Sequence, residues 1–313
     1  MPLHPDLEAF LELANAPGAG RLRIDQMTVE QARAAYDRST LALDPPGDDV
    51  EVRAIDVPVR DGSHVAARLY RGNPDGSPGP VLLFFHGGGY VLGGLDSHDS
   101  LCRSLALGAP CDVLAVDYRR APERRFPTAF LDAEDALAWL RAHGAGDGLD
   151  VRRLAVGGDS VGGTLAAALC IAEREAARPQ PVLQLLLYPC TAPRQDSASH
   201  ERLAAGYLLE RETLQWMFDQ YLRSPGDRQD WRFAPLAADS LSGLAPAHVV
   251  LAEYDPLVDE GALYAERLAA AGVPVELKAY AGMVHDFARL GNVTEEAATL
   301  RRDLGQALAK AFR

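Results

Sequence analysis

Lysine is almost absent from this 313-residue chain: Lys278 and Lys310 are the only two, and the other 29 of the 31 basic residues are arginine. Schiff-base chemistry therefore has two candidates at most. Positive charge is itself short, 31 basic against 44 acidic residues for a net charge of −13, and no dense basic block occurs, so no nucleic-acid partner is expected. Long apolar runs are missing too. The best candidate, residues 81–95, is too short for a membrane span, rich in glycine and interrupted by His86. Residues 1–20 lack the basic start and unbroken apolar centre of a secretory signal, because Asp6, Glu8 and Glu12 break the hydrophobics. The four cysteines (Cys102, Cys111, Cys170, Cys190) show no CxxC spacing, which in a chain this long reads as reduced, buried thiols rather than a disulfide frame or zinc site. A cytoplasmic protein without a membrane, metal or organic cofactor is the expectation.

What is present is enough apolar material, 48% of residues, for an extensive core. Two helices are predicted near the N-terminus, over 5–14 and 29–38, the second opened by Thr28 with Gln31 three residues on, a capping-box pattern. From Val50 the period changes to alternation on both sides of Asp61-Gly62, which predicts an antiparallel hairpin. Apolar runs at 81–85, 113–116, 154–156, 182–187, 249–251 and 275–277 then alternate mostly with helical stretches. Near-continuous apolar strands separated by helices indicate a mainly parallel sheet covered on both faces. The rhythm fails once, between Tyr188 and about Ala234, where a Pro/Ser-rich stretch precedes a helical segment over 210–222. This segment reads as an insertion over the carboxyl edge of the sheet.

The strand at 154–156 leads through Gly158-Asp-Ser160-Val-Gly162 into a helix of small residues. Glycines two residues on either side of a serine relieve crowding at a sharp strand-to-helix turn, and the turn exposes the hydroxyl as a nucleophile. A phosphate loop is the competing reading of such glycines, but the segment holds no lysine. An earlier strand ends in His86-Gly87-Gly88-Gly89-Tyr90, a glycine loop whose backbone N–H groups can face a substrate carbonyl. By analogy with other such loops, Gly88, Gly89 and Val161 are the expected oxyanion donors, with His86 and Gly87 positioning the loop.

A serine hydroxyl needs a base within reach, itself oriented by an acid. Of the eight histidines, His4 and His64 precede the relevant strands, His98, His143 and His200 fall in helices or connections, and His248 opens a strand at the wrong end. His285, just past the last strand, remains as the base. Asp255, at the end of the strand before Pro256, is the favoured acid, with Glu253 as its rival. Asp259 and Glu260 are expected to cap the following helix. The order Ser160, Asp255, His285 excludes chymotrypsin-like and subtilisin-like arrangements.

On His86-Gly-Gly-Gly-Tyr, Asp117-Tyr-Arg-Arg-Ala-Pro-Glu123, Gly158-Asp-Ser-Val-Gly-Gly163, Asp255-Pro-Leu-Val-Asp-Glu-Gly261 and His285-Asp-Phe, the chain resembles the hormone-sensitive-lipase family of bacterial carboxylesterases. It departs from the family's usual pattern at Val161, where Ala is common, and at Arg120, where Leu is common. The resemblance implies an α/β-hydrolase fold, a mostly parallel sheet flanked by helices with a helical cap: cap helices in 1–48, core in 49–190 and 228–313, and a cap insertion in 191–227. It also implies a serine esterase for small-molecule esters of short to medium acyl chain. Separately, a homodimer is the one candidate protein assembly. Candidate pocket residues are Tyr90, Tyr188, Leu209 and Trp216, and Val161 is expected to narrow the pocket floor. The stripe Trp216, Phe218 and Tyr221 has helix core as its commoner reading. The same triad would also serve an amidase, deacetylase or acyltransferase, and a ligand-binding member of the fold without turnover is the alternative from another class.

Overall fold

In a computed structural model, residues 2–15, 23–73 and 78–313 are described; Met1 and residues 16–22 of the expected N-terminal segments, and residues 74–77, lie outside the described residues. The described residues form one eight-stranded sheet: β1 (Glu51–Pro58), β2 (His64–Arg71), β3 (Gly79–Phe85), β4 (Asp112–Val116), β5 (Leu149–Asp159), β6 (Gln184–Leu187), β7 (Ala247–Tyr254) and β8 (Val275–Val284). Their order across the sheet is β1-β2-β4-β3-β5-β6-β7-β8. β2 runs antiparallel to β1 and β4, and the remaining pairs are parallel. The helices are α1 (Pro5–Ala14), α2 (Val29–Leu43), α3 (Asp99–Gly108), α4 (Thr128–His143), α5 (Val161–Glu175), α6 (Ala198–Arg202), α7 (Arg211–Tyr221), α8 (Val258–Ala270) and α9 (Glu296–Ala311).

The apolar strands behave as their composition requires. β3, β4 and β6 are buried throughout, and alternate residues feed two cores. Val81, Leu83 and Phe85 join the side chains of α4, α5 and α8 on one face, while Leu82 and Phe84 join α3 and α9 on the other. The capping box of α2 forms as expected, with Gln31 N donating to Thr28 Oγ1 and Thr28 N to Gln31 Oε1. That helix runs five residues beyond the expected end at residue 38 and stops before Asp44-Pro45-Pro46, since proline bars continuation. The last strand is also longer than its apolar run, reaching Val284, because β8 lies at the sheet edge and tolerates polar, exposed positions. From Tyr188 to Pro246 the chain makes α6, α7, short 3-10 turns and loops before returning to the sheet at β7.

Candidate active site

β5 ends at Asp159 and α5 begins at Val161, so Ser160 occupies the joint itself, with φ 53° and ψ −122°. That backbone conformation is unfavourable for a residue with a side chain, and it is held by Ser160 N donating to Leu187 O of β6 at 2.8 Å. A Cβ on Gly162 would come within 2.0 Å of Phe85 O, so only glycine lets α5 start against the end of β3.

His285 follows the last residue of β8, and Asp255 follows the last residue of β7. His285 Nε2 lies 3.0 Å from Ser160 Oγ, and its Nδ1 lies 2.6 Å from Asp255 Oδ2. The other carboxylate oxygen of Asp255 accepts Leu257 N at 2.8 Å, which fixes the plane of the group and so the tautomer of the imidazole. Asp255 is fully buried and His285 nearly so. Burial alone would lower the basicity of His285, yet Asp255, with Asp286 and Asp159, raises its pKa above the ordinary histidine value. Glu253, the rival acid, instead accepts Gly282 N at 2.8 Å.

At the glycine loop, Gly88 has φ 107°, and a Cβ there would meet Leu92 O at 2.4 Å. The His86 ring stacks on Tyr118 at 4.3 Å, and Tyr118 OH donates to His86 O at 2.9 Å. Gly87 N donates to Asp159 Oδ1 at 3.0 Å, so the residue beside the serine ties the loop to the elbow. No hydrogen bond among the described residues uses the N–H of Gly88 or Gly89, and Val161 N, in the first position of α5, has no acceptor within the helix.

Ser160, His285, Gly88 and Gly89 open into one cavity of about 550 Å³. Its walls are largely apolar: Phe10 of α1, Ala35 and Leu43 of α2, Leu208, Leu209, Leu214 and Met217 from the insertion, and Leu92 and Leu290 from the core. Tyr36, Asp286 and Arg289 supply a polar corner. Arg289 Nε donates to Ser97 O at 2.8 Å, and its guanidinium also bonds Asp286, Thr40 Oγ1 and Tyr36 OH, holding α2 against the catalytic loop.

Of the four expected pocket residues, Leu209 lines this cavity. Tyr90 and Tyr188 do not. Both carry positive φ, 65° and 35°. Tyr90 stacks on Tyr221 at 3.8 Å, and Tyr188 sets its edge against His285 at 4.8 Å, behind the catalytic ring. Trp216 faces a polar surface groove beside Arg125 and Arg223 and not the cavity, while Phe218 and Tyr221 are core. Val161 is fully buried in the core on the α4–α5 face and lies outside the cavity wall. Arg120 bonds Gly93 O just past the glycine loop. Asp259 and Glu260 do not cap α8: Asp259 accepts Ser199 N at 2.8 Å and Glu260 accepts Thr191 N at 2.6 Å, so both reach across to the insertion.

Sequence reasoning missed three contributors: Asp159, His98 and Arg289. A carboxylate at the end of a buried strand is the one signal that was available, since a buried charge demands a partner.

The family described as alpha/beta hydrolase fold matches residues 82–289. The ethyl acetate hydrolase of Pseudomonas putida is 44% identical over 95% of this chain and 95% of its own length. The chain belongs to the α/β-hydrolase family, in its hormone-sensitive-lipase branch. This α/β hydrolase is also 41% identical to the carboxylic ester hydrolase LipN of Mycobacterium tuberculosis, over 92% of this chain and 77% of the relative. Among solved structures, an ester hydrolase from the metagenome of Lake Arreo, complexed with a derivative of bipyridine phosphonate, is 36% identical and superposes with a TM-score of 0.95 over 99% of each chain. The hyperthermophilic esterase of the archaeon Pyrobaculum calidifontis is 35% identical, with a TM-score of 0.93 over the whole of both chains.

Proposed function

We propose that this α/β hydrolase is a serine carboxylesterase for esters of short to medium acyl chain. One observation carries the reading: Ser160, His285 and Asp255 stand in hydrogen-bonded sequence at 3.0 and 2.6 Å, with Ser160 and His285 on the floor of an apolar cavity. Ser160 Oγ attacks the ester carbonyl while His285 Nε2 takes its proton. The carbonyl oxygen gains charge facing the N–H groups of Gly88, Gly89 and Val161. Collapse of the tetrahedral intermediate expels the alcohol, which receives the proton from His285, and leaves an acyl-serine. Water, deprotonated by the same histidine, then releases the acid and restores Ser160. A placed base at His285 speaks against a purely ligand-binding member of the fold.

In this reading the N-terminal helices and residues 191–227 form a cap over the cavity. It is supported by Asn15 Nδ2 donating to Gly206 O at 3.1 Å and by the contributions of both segments to the wall. Four free, buried thiols support a cytosolic address. The names of the ethyl acetate hydrolase and carboxylic ester hydrolase relatives support ester substrates. The test is hydrolysis of p-nitrophenyl butyrate by wild type and Ser160→Ala, with a reactive phosphonate as label. Turnover that survives Ser160→Ala, or inactivation by label attached elsewhere, would overturn the reading.

A further inference from the structure

Two carboxylates and two guanidinium groups line the cavity: Asp159, Asp286, Arg38 and Arg289. Three of the four are engaged. Asp159 accepts Gly87 N and faces His98 Nε2 at 3.2 Å, and Asp286 pairs with Arg289 at 2.7 Å. Arg38 stands apart. Among the described residues its guanidinium has no hydrogen bond and no ion pair, whereas Arg33, earlier on α2, is held by Glu123 at 2.7 Å and by the carbonyl oxygens of Val91 and Ala121. The sequence explains the isolation. The positions three and four residues away, where a partner on the same helix would stand, are Ala34, Ala35, Leu41 and Ala42, and residues 16–22 contain no carboxylate. At about 100° per residue, Arg38 and Tyr36 lie roughly 160° apart, at opposite margins of the helix face turned to the cavity, with the small side chains of Ala35, Ser39 and Ala42 between them. Arg289 holds the Tyr36 margin, and Arg38 is exposed at the other.

We infer that Arg38 is a specificity-determining residue that receives a carboxylate of the substrate, so that the esters this site favours carry a carboxylate remote from the reacting carbonyl. A guanidinium presents its N–H donors in a fork that matches a carboxylate, and here the fork is unspent. The chain as a whole carries a net charge of −13, so an anion gains nothing from the general field and is drawn by this local charge alone. With the ester carbonyl at Ser160, the apolar walls take up the methylene chain or ring that separates the two polar ends of such a substrate.

This role rests on the esterase reading, and its test separates the two. Mono-p-nitrophenyl adipate and suberate are compared with p-nitrophenyl adipamate and suberamate, in which an uncharged amide replaces the carboxylate; these pairs put the charge on the acyl side. The pair 4-acetoxybenzoate and 4-acetoxybenzamide puts it on the alcohol side. Wild type should favour the charged member in at least one arm, and Arg38→Gln should lower the charged-to-neutral ratio of kcat/KM about tenfold in that arm, through KM rather than kcat. Arg38→Lys should keep part of the ratio, and added salt should erode it in wild type but not in Arg38→Gln. Because Arg38 is exposed and unpaired among the described residues, both variants should keep the wild-type Tm. A ratio that Arg38→Gln leaves unchanged in both arms, or a wild type that favours the amide throughout, overturns this role alone, since the neutral esters are still hydrolysed. A wild type that hydrolyses no ester removes the esterase reading and this role with it.

Discussion

Met217 Sδ fills the space where a side chain on Gly89 would begin: a Cβ on that glycine would lie 1.9 Å from the sulfur. The helix α7 thus presses directly on the glycine loop. Gly89→Ala should cost roughly 100-fold in kcat, the scale of losing one oxyanion donor, because the loop must shift to admit the methyl group. Met217→Ala in the same background should return part of that activity. Steady-state kinetics of the two single variants and the double variant check this, and no recovery would show that backbone strain at φ 62°, rather than the methionine, sets the loss.

The second expectation concerns pH. His285 must be neutral to accept the serine proton, and its net shift is upward despite its burial. The acid limb of kcat/KM should therefore have its midpoint above the ordinary value of ~6.5, with activity lost as pH falls through it. Asp286→Asn, which removes one of the carboxylates holding that pKa up, should move the midpoint down. A limb that stays put would take Asp286 out of the account.

Acyl length is the third. A cavity of about 550 Å³ with apolar walls gains ~0.8 kcal/mol per buried CH₂ until the chain meets the wall. Across p-nitrophenyl esters from acetate to palmitate, kcat/KM should peak at short to medium chains, and a peak at palmitate would defeat the capped-esterase reading. Since Val161 is buried in the core, Val161→Ala should leave the profile in place and instead cost about 1–3 kcal/mol of stability, visible as a lower Tm.

Glu260 gives the fourth. Burial, only partly opposed by the N–H groups of Thr191 and Ala192, lifts its carboxyl to about 8. Between the unfolded value of ~4.3 and that folded value the native state holds a proton that the unfolded state releases, so stability falls as pH rises, by ~1.4 kcal/mol per unit. Glu260→Gln lacks this proton exchange. Its Tm should gain on wild type from pH 5 to pH 8 and keep a constant lead above that; a constant difference across the whole range would place an ionised Glu260 in the native protein.

The parts of this site that could be read in the sequence were those where backbone geometry dictates residue type. Gly162 and Gly88 report a close approach and a left-handed turn, and Pro256 reports a strand end; together they located Ser160, the glycine loop and Asp255. Side-chain direction was harder. Tyr90 and Tyr188 have positive φ and pack outside the cavity lining, and Trp216, one residue from Met217 and about 100° round the helix, faces a different groove. The Asp159–His98 pair and the Arg289 cluster were illegible because their partners are far apart along the chain, 61 residues for the first and 253 between Arg289 and Tyr36.

That last separation also orders events during synthesis. Tyr36 and Thr40 are translated before every strand of the sheet, but the guanidinium that seats them is translated after all of them. Closing so long a loop rewards the chain only once the core exists to carry Arg289. The newly made enzyme therefore holds a finished sheet before it holds a finished substrate chamber. In refolding from denaturant, β-sheet circular dichroism should return ahead of ester hydrolysis.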